Sequence, residues 1–199
     1  IAKIAGLERI RYTSPHPQDI TVELLNIMAK HDNICNSIHL PLQSGSDKIL
    51  KRMNRTYTNA HFINLVKKIR QILPNVGIST DIIVGFPGES ENDFHDTLNV
   101  MEKVKFDSAF TFKYSPRKGT KAMEYNDQVD ENIKQKRLEK LISLQNLHTK
   151  QRNQSFVGRI EKILIEKESK RDKRKWSGRT DSNKWVVFDK KKHKNKRYC

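Results

Sequence analysis

The sequence predicts an α/β fold with a parallel sheet, followed by a small all-β module, and three observations carry that prediction. Ile78 to Val84 is a β-branched, mostly apolar run with apolar residues on both parities. Such a run suits a strand covered on both faces, as in a parallel sheet. Strand-like and helix-like stretches alternate four times over residues 1–114, the pattern of βα units with right-handed crossovers. From Phe156 the helical period gives way to short runs, Ile160 to Ile165 and Trp185 to Phe188, separated by polar turns such as Asp181-Ser-Asn183. That change announces a small β-barrel-like module.

Each element has its own signal. Ile1 to Ile4 reads as the last turn of a helix that begins earlier, stopped at Gly6, and further strands are expected upstream. Leu7 to Thr13 alternates as a strand and ends at Ser14-Pro-His-Pro17. Asp19 can cap a helix with Ile20, Leu24, Ile27 and Met28 on one face. Asn33 to Leu40 is the next strand and runs into Pro41-Leu-Gln-Ser-Gly-Ser46. Ser46 caps a short helix, and Thr58 caps a longer one carrying Phe62, Val66, Ile69 and Leu73, stopped by Pro74. After strand 78–84, Gly85-Phe-Pro-Gly88 turns into a helix over 91–104. Ser90 and Asp93 form a capping box at its start. Phe106 to Tyr114 returns to period two, with Ser108, Phe110, Phe112 and Tyr114 on one parity. Asp130 opens a long charged helix to about Asn153, with Leu138, Leu141, Ile142, Leu144 and Leu147 in an apolar arc. The expected division is therefore 1–129, a linking helix over 130–154, and 155–199.

Composition narrows the function. The net charge is +16, and residues 155–199 hold 16 Lys and Arg against 6 Asp and Glu. A basic carboxyl-terminal quarter points to a polyanion, above all nucleic acid. A solubilising tail explains Lys190 to Arg197 nearly as well. No apolar run approaches the ~20 residues needed to cross a bilayer, and no signal-peptide pattern is visible, so the cytoplasm is expected. Cys35 and Cys199 are isolated and suggest neither a disulfide framework nor a metal site. No Walker-type loop or paired acid–base motif supports a phosphate-binding enzyme.

In parallel α/β folds ligands sit at the carboxyl ends of strands. Arg11 and His16, Gln43 and Ser44, the turn Gly85 to Gly88, and Arg117 all lie at or near such ends. Gly85 allows close backbone approach and Pro87 stiffens the turn, although an ordinary strand-to-helix turn has the same pattern. His16 also reads as a loop residue, Asp81 as a structural acceptor within its strand, and Arg117 as a plain surface arginine.

Five strings occur in order: His39-Leu-Pro-Leu-Gln-Ser-Gly-Ser46, Met53-Asn-Arg-Thr-Tyr57, Asp81-Ile-Ile-Val-Gly-Phe-Pro-Gly-Glu89, Tyr114-Ser-Pro-Arg-Lys-Gly-Thr120 and Ser177-Gly-Arg-Thr180. Together they closely resemble the radical SAM methylthiotransferases, in particular the tRNA-modifying MiaB type, over nearly the whole chain. The resemblance implies a partial TIM-like barrel of the radical SAM type followed by a truncated TRAM domain, a small RNA-binding β module. It implies S-adenosylmethionine and 4Fe–4S clusters as cofactors, tRNA as partner, and a monomer. The clusters of that family use an upstream CxxxCxxC loop that this sequence lacks, and Cys35 and Cys199 do not replace it. The chain alone is therefore expected to be inactive, with a missing amino-terminal part as its possible partner.

Carried over residue by residue, the resemblance makes Gln43, Ser44, Gly85, Phe86 and Pro87 the wall that holds S-adenosylmethionine, with Arg11, His16 and Asp81 lining the same cavity. Arg117 would meet substrate phosphate. In the TRAM-like segment Lys170, Arg171, Lys173, Arg174, Lys175 and Arg179 would track phosphates. Trp176 among them would stack a base or else close the small core. No residue is expected to act as general acid or base, because the chemistry is radical and borne by the cofactors. The leading expectation is a fragment of the enzyme that adds a methylthio group to C2 of isopentenyladenosine beside the anticodon. The alternatives are a non-catalytic RNA-binding remnant and a fragment of the related threonylcarbamoyladenosine enzyme.

Overall fold

The computed structural model describes residues 1–13 and 16–190. The predicted turn residues Ser14 and Pro15, and the basic tail after Lys190 with Cys199, lie outside the described residues. The first module is built on three parallel strands, β1 (Ser37–His39), β2 (Gly77–Val84) and β3 (Ser108–Lys113), in the order β1-β2-β3. Ile38 sits opposite Ile78, and Asp81 opposite Phe110. Helices α1 (Val22–Lys30), α2 (Asp47–Arg52), α3 (Asn59–Ile72) and α4 (Glu91–Val104) complete the βα pattern. The core joins Ile38, Ile78, Ile82 and Val84 of the sheet to Phe62, Ile69, Phe94 and Met101 of α3 and α4.

Local signals explain the helix ends. Thr58 and Ser46 accept from the amides of His61 and Ile49. The Ser90–Asp93 capping box closes in both directions. Asp19 is not the cap of α1. It ends a 3-10 turn, Pro17–Asp19, and Thr21 caps the helix by accepting from Leu24 N at 3.1 Å. Ile27 is accordingly exposed, and Leu25 and Met28 are buried.

The strands are shorter than predicted. Residues 7–13 meet the sheet only through a parallel bridge between Ile10 and Ile34, because Arg9 and Arg11 are drawn toward the second module. Ser37–His39 is brief because, after Leu40 N bonds the Ser79 carbonyl, the next amide in line, Leu42 N, turns to Thr80 Oγ1 at 2.9 Å instead of continuing the ladder. Gln43, at φ 66°, resumes pairing through a bridge with Ile82. Residues 1–4 form turns rather than helix. Strand β2 is not covered equally on both faces. Burial alternates along it, with Ile78, Thr80, Ile82 and Val84 against the helices and Ser79, Asp81 and Ile83 on the more open side.

Helix α5 (Glu131–Gln154), capped by Asp130, packs along β3 and α4. Its inward face is more polar than its leucines suggested. Lys134, Arg137, Gln145 and His148 are buried beside Leu141, whereas Ile142 and Leu147 are exposed. Each of these side chains has at least one partner, Glu131 for Lys134, Glu89 for Arg137, the Phe106 carbonyl for Gln145 and Glu102 for His148, while Arg137 Nε, Gln145 Oε1 and His148 Nδ1 stay unbonded.

The second module is an antiparallel meander of β4 (Ile163–Glu168), β5 (Lys175–Thr180) and β6 (Trp185–Asp189), ordered β4-β5-β6. Strand β5 lies where the sequence reads as a basic, phosphate-tracking stretch with Trp176 embedded in it. Polar residues hide it, since its pairing with β4 and β6 rather than hydrophobic period makes it a strand.

Candidate functional site

The open side of the parallel sheet gathers a polar cluster beside two aromatic rings. His39, at the end of β1, places Nδ1 2.9 Å from Ser79 Oγ and Nε2 3.1 Å from Asp81 Oδ2. A carboxylate can only accept, so Nε2 carries the hydrogen toward Asp81, and with that tautomer Nδ1 can accept from Ser79. Phe110 meets the His39 ring edge-on at 5.9 Å. Phe110 and Phe112 are 58% and 52% exposed on this side, opposite Asp81 and Ile83 in register. Strand alternation brings these residues together. The period-two reading of β3 identified its aromatic parity, but His39 and Ser79 carried no local signal of their meeting.

Of the predicted cofactor wall, Asp81 lies on this face. Gln43 lies at the strand-end loop, its backbone bonded to Asp81 O at 2.8 Å and to Ile83 N at 2.9 Å. Ser44 is turned away: it is fully buried, accepts from Ser46 N and lies 3.4 Å from Thr97 Oγ1. Gly85, Phe86 and Pro87 are buried as well. The Gly85 amide donates to Glu89 Oε1 at 2.9 Å. At φ 71°, a Cβ on Gly85 would strike Cγ of Lys134, so the glycine admits a side chain of α5 rather than a ligand. Phe86 packs edge-on against Tyr114 at 5.0 Å.

Behind this turn, Glu89 meets Arg137 Nη1 at 2.7 Å. Burial pushes the Glu89 carboxyl above its ordinary value, against the Gly85 amide and Arg137. Burial also works against ionised Asp93, but Lys48, Ser46 and Ser90 hold that carboxyl well below the usual range. His16 accepts from Gln18 N and packs on Tyr57 at 5.3 Å. The Tyr57 hydroxyl reaches the carbonyls of Pro41 and Leu42, so His16 stands beside the strand-end loop.

Arg11 leaves the cavity altogether. Its guanidinium donates to the Thr180 carbonyl at 2.8 Å and to Asn183 Oδ1 at 3.0 Å, while Arg9 donates to the Arg179 carbonyl at 2.8 Å. Asp181 Oδ2 accepts from the Asn36 amide at 2.8 Å. The β5–β6 turn is therefore clamped to the amino-terminal edge of the parallel sheet. Cys35 lies here, its thiol pushed up to about 11 by burial.

Among the predicted RNA contacts, Arg117, Lys170, Arg171, Lys173 and Arg174 are exposed. Arg174 pairs with Asp172. Lys175 and Trp176 are half-buried; Trp176 faces Phe188 across the sheet and Lys190 lies over its ring at 4.3 Å. Arg179 is held by Glu166 at 2.5 Å. Trp185, which the sequence marks only as the start of a strand, is 53% exposed, with Lys167 and Arg179 4.8 Å and 5.2 Å from its ring centre.

Residues 1–101 match the Radical SAM superfamily, and residues 154–196 match the TRAM domain. The chain is 50% identical over 188 residues to tRNA-2-methylthio-N(6)-dimethylallyladenosine synthase of Clostridium tetani, covering 94% of this chain and 42% of that protein. It is 51% identical over 189 residues to the protein of the same name from Carboxydothermus hydrogenoformans, covering 95% and 43%. The chain thus spans less than half the length of these relatives. Coproporphyrinogen III oxidase of Escherichia coli, a radical SAM enzyme of known structure, aligns with 67% of this chain and 31% of its own at a TM-score of 0.56 and 18% identity. That likeness concerns the fold.

Proposed function

Because the chain belongs to the radical SAM superfamily, we propose that it is a portion of a tRNA methylthiotransferase that adds a methylthio group to C2 of N6-dimethylallyladenosine beside the anticodon. The observation that carries this reading is the 50% identity to the Clostridium tetani synthase over 188 residues, a span that takes in both modules. In this reading residues 1–129 are barrel, 130–154 the linking helix and 155–199 the RNA-binding module. The protein acts in the cytoplasm as a monomer with tRNA as partner. Among the described residues no helix is long and apolar enough to cross a membrane.

The open sheet face suits S-adenosylmethionine by its donor set: His39 and Asp81 for polar groups, and exposed Phe110 and Phe112 for an adenine ring. Gln43 adds an amide at the strand end, and the buried turn Gly85 to Pro87 backs the wall. When bound, and given one electron by the family's iron–sulfur cluster, S-adenosylmethionine would supply the radical chemistry that activates the target carbon. The chain's own residues orient and exclude water: Asp81 fixes the His39 ring, and the two phenylalanines keep that side apolar. The family's iron–sulfur clusters are assigned to no residue here. Their ligands are thiolates, and Cys35 is a buried thiol raised to about 11.

A chimera tests the reading. Residues 1–199 replace the matching portion of the Clostridium tetani synthase, and tRNA from a strain lacking the modification is digested and analysed by mass spectrometry. The methylthio-dimethylallyl nucleoside is expected, reduced about tenfold or more by Asp81→Asn. A folded, cluster-loaded chimera that leaves the dimethylallyl nucleoside unmodified overturns the assignment.

A further inference from the structure

A cleft of about 770 Å³ separates the two modules. It opens at the amino-terminal ends of the parallel strands, where Ser37, Gly77 and Ser108 line it. This is the end opposite the turns in which ligands of α/β folds ordinarily sit. Its outer wall carries two aromatic rings, Phe156 and Trp185. Arg159 lies 5.1 Å and Lys184 4.9 Å from the Phe156 ring centre. Outside the lining, Lys167 and Arg179 flank Trp185 at 4.8 Å and 5.2 Å, Arg179 being paired with Glu166. Phe110, on the open sheet face, lines the cleft from the other side.

We infer that this cleft is a binding site for an unpaired ribonucleotide, with Trp185 as the stacking surface and Phe156 as a second apolar wall. Aromatic rings interleaved with cations are what single-stranded nucleic acid requires: the ring takes a base of any sequence and the cations take phosphate. The volume lies within the range of pockets that enclose a small organic ligand. The chemistry is not uniformly cationic. Glu161 also lines the cleft, and Asp107 does so with its charge met by Lys184 and Arg152. A lone carboxylate beside serine hydroxyls suits the donors of a base or ribose better than a duplex backbone, whose contacts are almost all phosphate. The cleft also runs to Ser79 and Phe110, so a nucleotide held there leads its strand toward the His39–Asp81 face. The inference rests on the RNA-binding reading proposed above, and adds to it a site between the modules.

The chain's two tryptophans, Trp176 and Trp185, make the test direct. The full 199-residue chain carrying Trp176→Phe reports Trp185 alone, and is titrated with a short single-stranded oligoribonucleotide and with its duplex. Quenching by the single strand, weaker or absent with the duplex, is expected. Trp185→Ala and Phe156→Ala are each expected to weaken binding about tenfold, with circular dichroism confirming that each variant is folded. RNA binding with silent Trp185 fluorescence and unchanged affinity in both variants overturns the cleft site and leaves the RNA-binding reading standing. A folded chain that binds no RNA overturns both.

Discussion

The Asp107 carboxylate at the entry to β3 accepts from the Lys184 ammonium of the β5–β6 turn at 2.7 Å. The same carboxylate accepts from Arg152 of α5 and from the Ile78 amide of β2. One buried side chain thus ties the parallel sheet, the linking helix and the second module together. The approach is close enough that a Cβ on Gly77 would collide with the Ser182 carbonyl. The cleft's walls keep their spacing through this contact and through the Arg9 and Arg11 clamps.

Asp107→Asn leaves two cations without their buried counter-charge and is expected to cost about 3–5 kcal/mol in urea denaturation. Burial alone would raise the Asp107 pKa, but Lys184, the Ile78 amide and Arg152 hold it below the ordinary value. A carboxyl with a depressed folded pKa contributes fully above its unfolded value, about 3.9, and loses that contribution as pH falls through the folded one. The unmodified chain should therefore lose stability on acidification below about pH 4, over a window in which Asp107→Asn is flatter. Equal acid slopes in the two proteins would sink the assignment.

Gly85→Ala places a Cβ at positive φ and against Lys134. A loss of about 1–3 kcal/mol is expected. Adding Lys134→Ala should relieve the steric part and leave the backbone part, so the two changes will not add. Strictly additive midpoints in denaturant would mean that Lys134 does not pack on the turn.

Arg137→Ala strands the Glu89 carboxylate in the interior and is expected to cost about 3–5 kcal/mol. In a Glu89→Gln background the same change should cost much less, because no charge is left unpaired. A double-mutant cycle in denaturant measures the difference, and a coupling near zero would contradict the pairing.

Cys35 is expected to resist alkylation. In a Cys199→Ser chain at pH 8, a thiol pushed up to about 11 should react roughly a hundredfold more slowly when folded than when unfolded. The rate should climb as pH rises toward that value. Fast labelling of the folded chain at pH 8 would show that Cys35 is not the buried thiol described.

Much of the first module was legible because its signals are local. Ser90, Asp93 and the apolar spacing of Phe94 and Met101 locate α4 to the residue, and Thr58 does the same for α3. The open sheet face was half legible: Asp81 sits in a run read as apolar on both parities and was marked only by the family resemblance, whereas Phe110 and Phe112 declared themselves by alternation. His39 did not, since a histidine in a strand looks the same whether or not Ser79 and Asp81 wait beside it. Strand β5 was missed because Lys175 and Arg179 read as part of a basic, phosphate-tracking stretch, although pairing on both edges holds them in a sheet.

Caps, turns and hydrophobic period act over a few residues, and those distances are written in the order of the amino acids. The parallel sheet, the helices packed on it and the change to a basic all-β module all follow from such patterns. The partners of the polar side chains do not. Arg11 reaches Asn183 across 172 positions, and Asp107 reaches Lys184 across 77. Nothing near Arg11 distinguishes a cavity-lining arginine from one that clamps the second module. Its role, the polar buried face of α5 and the cleft beneath Trp185 arise when distant segments compete for the same few donors and acceptors. Folding resolves that competition by satisfying every buried polar group it can.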